Sequence, residues 1–186
     1  MFKIEKMSNT TLYFAYGSNL LKSRILMNNP TAVFKDIARL EHYRLDFIDE
    51  SKTWKGAPAT IIPINNSWVW GAVWEINNDQ IENLDKQEEV HVGKYRVLYV
   101  DVTNPDGKVY VCRVYQTTKM VENPTELSKL PDDRLPSLIY LKVIVKGALD
   151  CGLPHEYVEF LRSIRHNGYM DEESPLGKEV SRIQLD

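Results

Sequence analysis

Apolar positions along the chain change period several times, and the changes mark its elements. Residues 12–16, Leu-Tyr-Phe-Ala-Tyr, predict a strand. It runs into a helix from about Asn19, where Leu20, Leu21, Arg24 and Ile25 partly follow three-four spacing until Asn28-Asn29-Pro30 stops it. Residues 32–40 and 43–48 read as two extended stretches, and the polar run 49–56 as a loop. Residues 59–64 and 68–76 predict the two arms of a hairpin, with Asn65-Asn66-Ser67 as the turn and Pro63 marking an edge or bulge. Trp68, Trp70 and Trp74 share one strand face and read as core. A helix over 77–90, capped by Asn77 or Asn78, precedes the clearest hairpin, 95–103 with 108–117, joined by Asn104-Pro105-Asp106-Gly107. Residues 119–136 are charged, contain three prolines and read as a long loop of the kind that often forms a lid. A helix over 137–150 ends at Gly152, and Pro154 opens another over 155–165. In the polar tail, Val180 and Ile183 can dock a last turn. With no repeat or linker, the chain reads as one domain over 1–186, with 1–10 and 168–186 peripheral.

Two places carry chemistry. The passage from strand to helix goes through Gly17-Ser18-Asn19, where glycine permits an angle forbidden to other residues and Ser18 or Asn19 can cap the helix. Such a turn gathers N–H groups that suit an oxyanion or a carboxylate, although taken alone it is equally a well-capped helix start. The second place is the helix over 77–90. At 100° per residue, Glu88 falls within roughly 10° of the midpoint between Ile81 and Leu84, while Glu89 points about 110° away and Asp85 about 70°. Glu88 is therefore expected to face inward, Asp85 to border the apolar stripe, and Lys86 to face outward. A carboxylate on an apolar stripe loses solvation and becomes a better base near neutral pH. The competing use is a structural one, capping or bridging a buried polar group.

The remaining properties narrow the class. A net charge of −3 with scattered Lys and Arg leaves no footprint for nucleic acid. No apolar run approaches a membrane span, and residues 1–10 lack the apolar core of a signal peptide, so an intracellular, cytoplasmic location is expected. Cys112 and Cys151 read as buried packing thiols in a reducing compartment. His42, His91, His155 and His166 show no paired ligand spacing and neither cysteine sits in a Cys-x-x-Cys pair, so neither a metal site nor a cofactor is expected. Gly17 lacks the partners of a phosphate-binding loop, and no Gly-x-Ser-x-Gly surrounds Ser18. What remains is acid–base chemistry on an acyl group.

Several ordered motifs carry a resemblance: residues 12–20, Leu-Tyr-Phe-Ala-Tyr-Gly-Ser-Asn-Leu; Trp70-Gly-Ala-Val-Trp74; Leu84-Asp-Lys-Gln-Glu88; Cys112-Arg-Val-Tyr115; Pro136-Ser137 with Tyr140; Gly147-Ala148; and Gly152-Leu153-Pro154. Together they resemble the gamma-glutamylcyclotransferases over nearly all of the chain except its termini. The resemblance implies an α+β fold with a small mixed, barrel-like sheet flanked by helices, a homodimer, and conversion of a γ-glutamyl-amino acid to 5-oxoproline. It puts the catalytic role on Glu88, a substrate cradle on Tyr13, Phe14, Ala15, Tyr16, Gly17 and Ser18, and pocket tyrosines on Tyr115 and Tyr140, which composition alone would read as core rings. Glu88 would take a proton from the substrate's α-ammonium, and the freed amine would attack its own γ-carbonyl. Glu89 stands where close relatives carry glycine, Lys86 where they carry an acid, and the loop before Pro136 is longer. Cyclotransferases acting on glutathione or on γ-glutamyl-amines are the alternative within enzymes. A non-catalytic small-acid binder is the alternative outside them, although a buried carboxylate would gain nothing against an anionic ligand.

Overall fold

The computed structural model describes residues 9–119 and 124–185. Five strands carry it: β1 (Thr10–Ala15), β2 (Val33–Phe47), β3 (Ala59–Asn77), β4 (Tyr95–Thr103) and β5 (Val109–Thr117). They close into a barrel in the order β1-β3-β2-β4-β5. All neighbours are antiparallel except β1 and β5, which close the ring in parallel through Tyr13 and Arg113. Five helices accompany it: α1 (Lys22–Leu26), α2 (Ile81–Gln87), α3 (Leu138–Cys151), α4 (His155–Arg162) and α5 (Pro175–Val180). The expected α+β architecture is present. Among the described residues, no helix is long and apolar enough to cross a membrane.

The sheet departs from the predicted pairing in one place. The two extended stretches 32–40 and 43–48 are one strand, β2, and the predicted hairpin over 59–76 is also one strand, β3. The hairpin is between β2 and β3, paired from Phe47 with Ala59 back to Val33 with Glu75, with the register shifting between Phe34 and Asp36 and between Glu41 and Tyr43. Residues 64–67 have only His42 opposite them, and both His42 and Asn66 adopt positive φ, 62° and 60°. The polar Asn65-Asn66-Ser67 cluster is therefore a bulge that bends a continuous strand. Tryptophan burial is corrected with it. Trp74 is 1% exposed and meets Phe34 edge-on, whereas Trp68 is 50% exposed and Trp70 half-buried, with Arg39 lying over both rings.

α3 fixes the strand-to-helix turn against the barrel. Ser137 caps it by accepting the Tyr140 N–H at 3.3 Å, and Gly152, φ 75°, ends it. At Gly147 a Cβ would come 2.4 Å from the Leu21 nitrogen, so glycine lets α3 lie directly on the chain leaving β1. The tail is also docked: Val180 of α5 is fully buried with Leu21, Ile139 and Val143, and Ile183 packs beside them. Of the N-terminal segment 1–10 expected to be peripheral, Thr10 belongs to β1 and the Asn9 carbonyl accepts the Asn78 N–H at 3.0 Å, while residues 1–8 lie outside the described residues. Cys112 is buried and Cys151 partly so, and burial pushes both thiols up to about 12.

Candidate active site

The end of β1, the start of α3 and the C-terminal end of α2 enclose a cavity of about 370 Å³. Its inner wall is tyrosine. Tyr16 donates to the Tyr115 carbonyl at 2.6 Å, Tyr95 to the Ala59 carbonyl at 2.8 Å, and Tyr13 accepts from Asn19 Nδ2 at 3.1 Å. The Tyr140 oxygen accepts the Ala59 N–H at 3.0 Å and is also faced by the Ser18 N–H, leaving its own proton available. Burial raises the pKa of all of these phenols, so they remain donors.

The turn is built differently from the sequence-based expectation. Gly17 has φ −111° and ψ −138°, and neither Ser18 nor Asn19 caps a helix with its side chain. A short 3₁₀ turn, Ser18–Leu20, comes first, and the Asn19 amide is used on Tyr13. Close approach accounts for the glycine: a Cβ would lie 3.3 Å from the Tyr140 hydroxyl and 3.4 Å from the Ala59 Cβ. Tyr13, Tyr16, Gly17 and Ser18 line the cavity, whereas Phe14 and Ala15 are wholly buried and take no part in its wall.

Glu88 also lines the cavity, immediately after the last residue of α2. Its N–H continues the helix by bonding the Leu84 carbonyl at 2.9 Å, so the helical angle still governs where it points. Neither Asn77 nor Asn78 supplies a side-chain cap at the other end of this segment. Glu89 turns out of the helix with φ 52° and pairs with Lys94 at 2.7 Å on the cavity rim. Loss of solvation pushes Glu88 up to about 7; Arg24, a hydrogen bond from Gln87 and Lys94 pull it down, and Glu89 adds to the rise. Asp85 accepts from Arg113 and from the Tyr115 hydroxyl, both at 2.6 Å. Tyr115 therefore offers the cavity its ring while its hydroxyl proton is held by Asp85.

Among the cavity residues that the sequence did not single out are Arg24, Gln87, Lys94, Tyr95 and the segment 50–54 with Trp54. In the sequence Arg24 shows only as a position on a helix stripe, and Tyr95 only as the first residue of a strand. The lid expected from 119–136 is not found among its described residues, none of which lines the cavity. Arg44 binds the Thr125 carbonyl at 2.9 Å, while Arg134 binds the Phe47 carbonyl at 2.9 Å and pairs with the buried Asp46, so this stretch is tied to the end of β2. Residues 120–123 lie outside the described part. Among the described residues, no three His, Cys, Asp or Glu side chains gather as a metal site would require.

The model of the AIG2-like family matches residues 68–161, which run from the middle of β3 to the end of α4. Gamma-glutamylcyclotransferase of Bos taurus is 44% identical over 162 residues, spanning 85% of this chain and 80% of the bovine one. The Homo sapiens protein of the same name is 43% identical over 162 residues, with the same coverage. A solved structure of a gamma-glutamyl cyclotransferase superposes with a TM-score of 0.82 at 38% identity, over 93% of this chain and 99% of the other. A yeast cyclotransferase described as specific to glutathione shares the fold alone, with a TM-score of 0.57 at 14% identity over 83% and 94% of the two chains. The chain belongs to the gamma-glutamylcyclotransferase family.

Proposed function

We propose that the protein is a gamma-glutamylcyclotransferase that converts a γ-glutamyl-amino acid into 5-oxoproline and the free amino acid. The observation that carries this reading is Glu88, a carboxyl pushed up to about 7 in the wall of a cavity of about 370 Å³, room enough for a dipeptide. Glu88 takes a proton from the substrate's α-ammonium. The freed nitrogen bonds to the γ-carbonyl carbon, and the carbonyl electron pair moves onto oxygen. As that oxyanion collapses, Glu88 returns its proton to the departing nitrogen and the bond to that nitrogen breaks; Glu88 then takes the second proton from the ring nitrogen, leaving the lactam N–H, and the released amine ends as an ammonium, so no water is consumed.

Tyr140 is the donor we assign to the oxyanion. Its oxygen accepts the Ala59 N–H, which strengthens its own O–H as a donor. The Gly17-Ser18 turn then supports Tyr140 and leaves room beside it. Enclosure by the tyrosine wall keeps the substrate curled, and oriented intramolecular reactions of this kind reach effective molarities of roughly 10⁵–10⁸ M.

Release of 5-oxoproline from a γ-glutamyl-amino acid is the direct test. The N-acetyl analogue should not react, no oxygen from labelled water should enter the product, and Glu88→Gln should lower kcat by about 10³-fold. Glutamate as first product, labelled in its γ-carboxylate, would show that water attacks and would overturn the reaction class. We also propose a homodimer, from the family likeness, and a cytoplasmic location, from the lack of a signal-peptide core in residues 1–10. Sedimentation as a monomer at every concentration would contradict the dimer, and recovery in a membrane fraction would contradict the location.

A further inference from the structure

Three cations stand in the cavity wall, Arg24, Lys52 and Lys94, and they are not equivalent. Lys94 is neutralised by Glu89. Lys52 is exposed on the rim. Arg24 is partly buried and its side chain makes no hydrogen bond or ion pair among the described residues; its guanidinium lies 5.7 Å over the Trp54 ring, which in turn packs on Tyr140 with ring centres 4.6 Å apart. A planar, forked donor is thus held in place by stacking and left without an acceptor, the condition in which arginine receives a carboxylate through two hydrogen bonds.

Building on the cyclotransferase reading, we propose that Arg24 is a specificity residue that receives the carboxylate of the departing amino acid, so that the protein favours γ-glutamyl-amino acids over γ-glutamyl-amines. Two geometric arguments carry this. Glu88 must reach the departing nitrogen to return its proton, and the departing carboxylate is two bonds from that nitrogen. A cation that shares the space around Glu88 is therefore within reach of it. Arg24 is that cation: it lines the same cavity as Glu88, stacked on Trp54 beside Tyr140, and its charge favours ionised Glu88. The second argument is direction. With the ring-forming glutamyl half placed against the tyrosine wall, where Tyr140 meets its oxyanion, the departing half extends toward the partly exposed segment 50–54, on whose Trp54 Arg24 rests. In glutathione the terminal carboxylate is a whole residue farther from the departing nitrogen, out of register with Arg24, and a γ-glutamyl-amine has none.

The test compares kcat/KM for γ-glutamyl-alanine and γ-glutamyl-alaninamide, which differ only in the departing carboxylate, with the intact wild-type protein, Arg24→Gln and Arg24→Lys. Wild type should prefer the carboxylate by on the order of 30-fold, the scale of a hydrogen-bonded charge pair. In Arg24→Gln that preference should collapse to within about threefold, and Arg24→Lys should recover part of it. A preference that survives in Arg24→Gln overturns the proposal. So does an equal loss on both substrates, which would mean that Arg24 acts on the shared glutamyl half or on Glu88. Melting curves of the variants matching wild type show that the collapse is not misfolding; if Arg24→Gln melts early, Arg24→Lys carries the comparison. A wild-type protein that forms no 5-oxoproline from either substrate would instead remove the cyclotransferase reading itself, so the two failures are distinct.

Discussion

At the scale of the residue, desolvation of Glu88 ties chemistry to stability. Raised from 4.5 to about 7, its carboxyl takes up a proton on folding, so the folded state is favoured below about 4.5 and loses that advantage as pH climbs through 7. Removing the charge with Glu88→Gln should leave stability unchanged near pH 4.5 and raise it at pH 8. The open rim tempers the gain to on the order of 1–2 kcal/mol, several degrees of melting temperature. The same ionisation should make wild-type kcat/KM rise with pH through about 7. Glu89→Gln, on the exposed rim, should show neither the stabilisation nor the loss of activity. Melting and kinetics across pH 4.5–8.5 decide this, and a stability difference that grows toward acid would reverse the sign. Glu88 was legible because one helical angle fixes its direction. Arg24 was not: its environment depends on Trp54 and Glu88, which are distant in sequence, and periodicity carries no information about them.

At the scale of the element, legibility followed how local the determining forces were. The β4–β5 hairpin was readable because its turn is self-contained: Asn104 Oδ1 accepts the Asp106 and Lys108 N–H groups at 3.1 and 2.7 Å, and Gly107 supplies φ 86°. α3 was readable for the same reason, with both caps written beside it. The bulge at Asn66 carries the same local signal as a turn, and pairing of β3 with the whole of β2 overrides it. A second non-local constraint lies where β3 passes β1. A Cβ at Gly71 would stand 2.4 Å from the Ala15 carbonyl oxygen and 2.7 Å from the Phe14 ring. Gly71→Ala should therefore cost roughly 3 kcal/mol in a chemical denaturation experiment, since the obstruction is backbone as well as ring. A wild-type midpoint for this variant would mean that β1 has room to withdraw without consequence.

For the whole molecule, the ring of strands closes where the cavity is. The seam between β1 and β5 is a single parallel pairing, Tyr13 with Arg113, reinforced by the Tyr16 hydroxyl on the Tyr115 carbonyl. Those four residues span the longest stretch of chain that any strand contact must gather, whereas β2 with β3 and β4 with β5 are neighbours joined by short connections. Loop-closure entropy makes such distant pairings the late, slow events of folding. In a stopped-flow refolding experiment, the tryptophans of β3 should report an early phase, and catalytic competence should return only with the last one. The enzyme would then have no partly folded form able to bind its substrate, and a newly made chain would stay silent until its first strand had met its fifth.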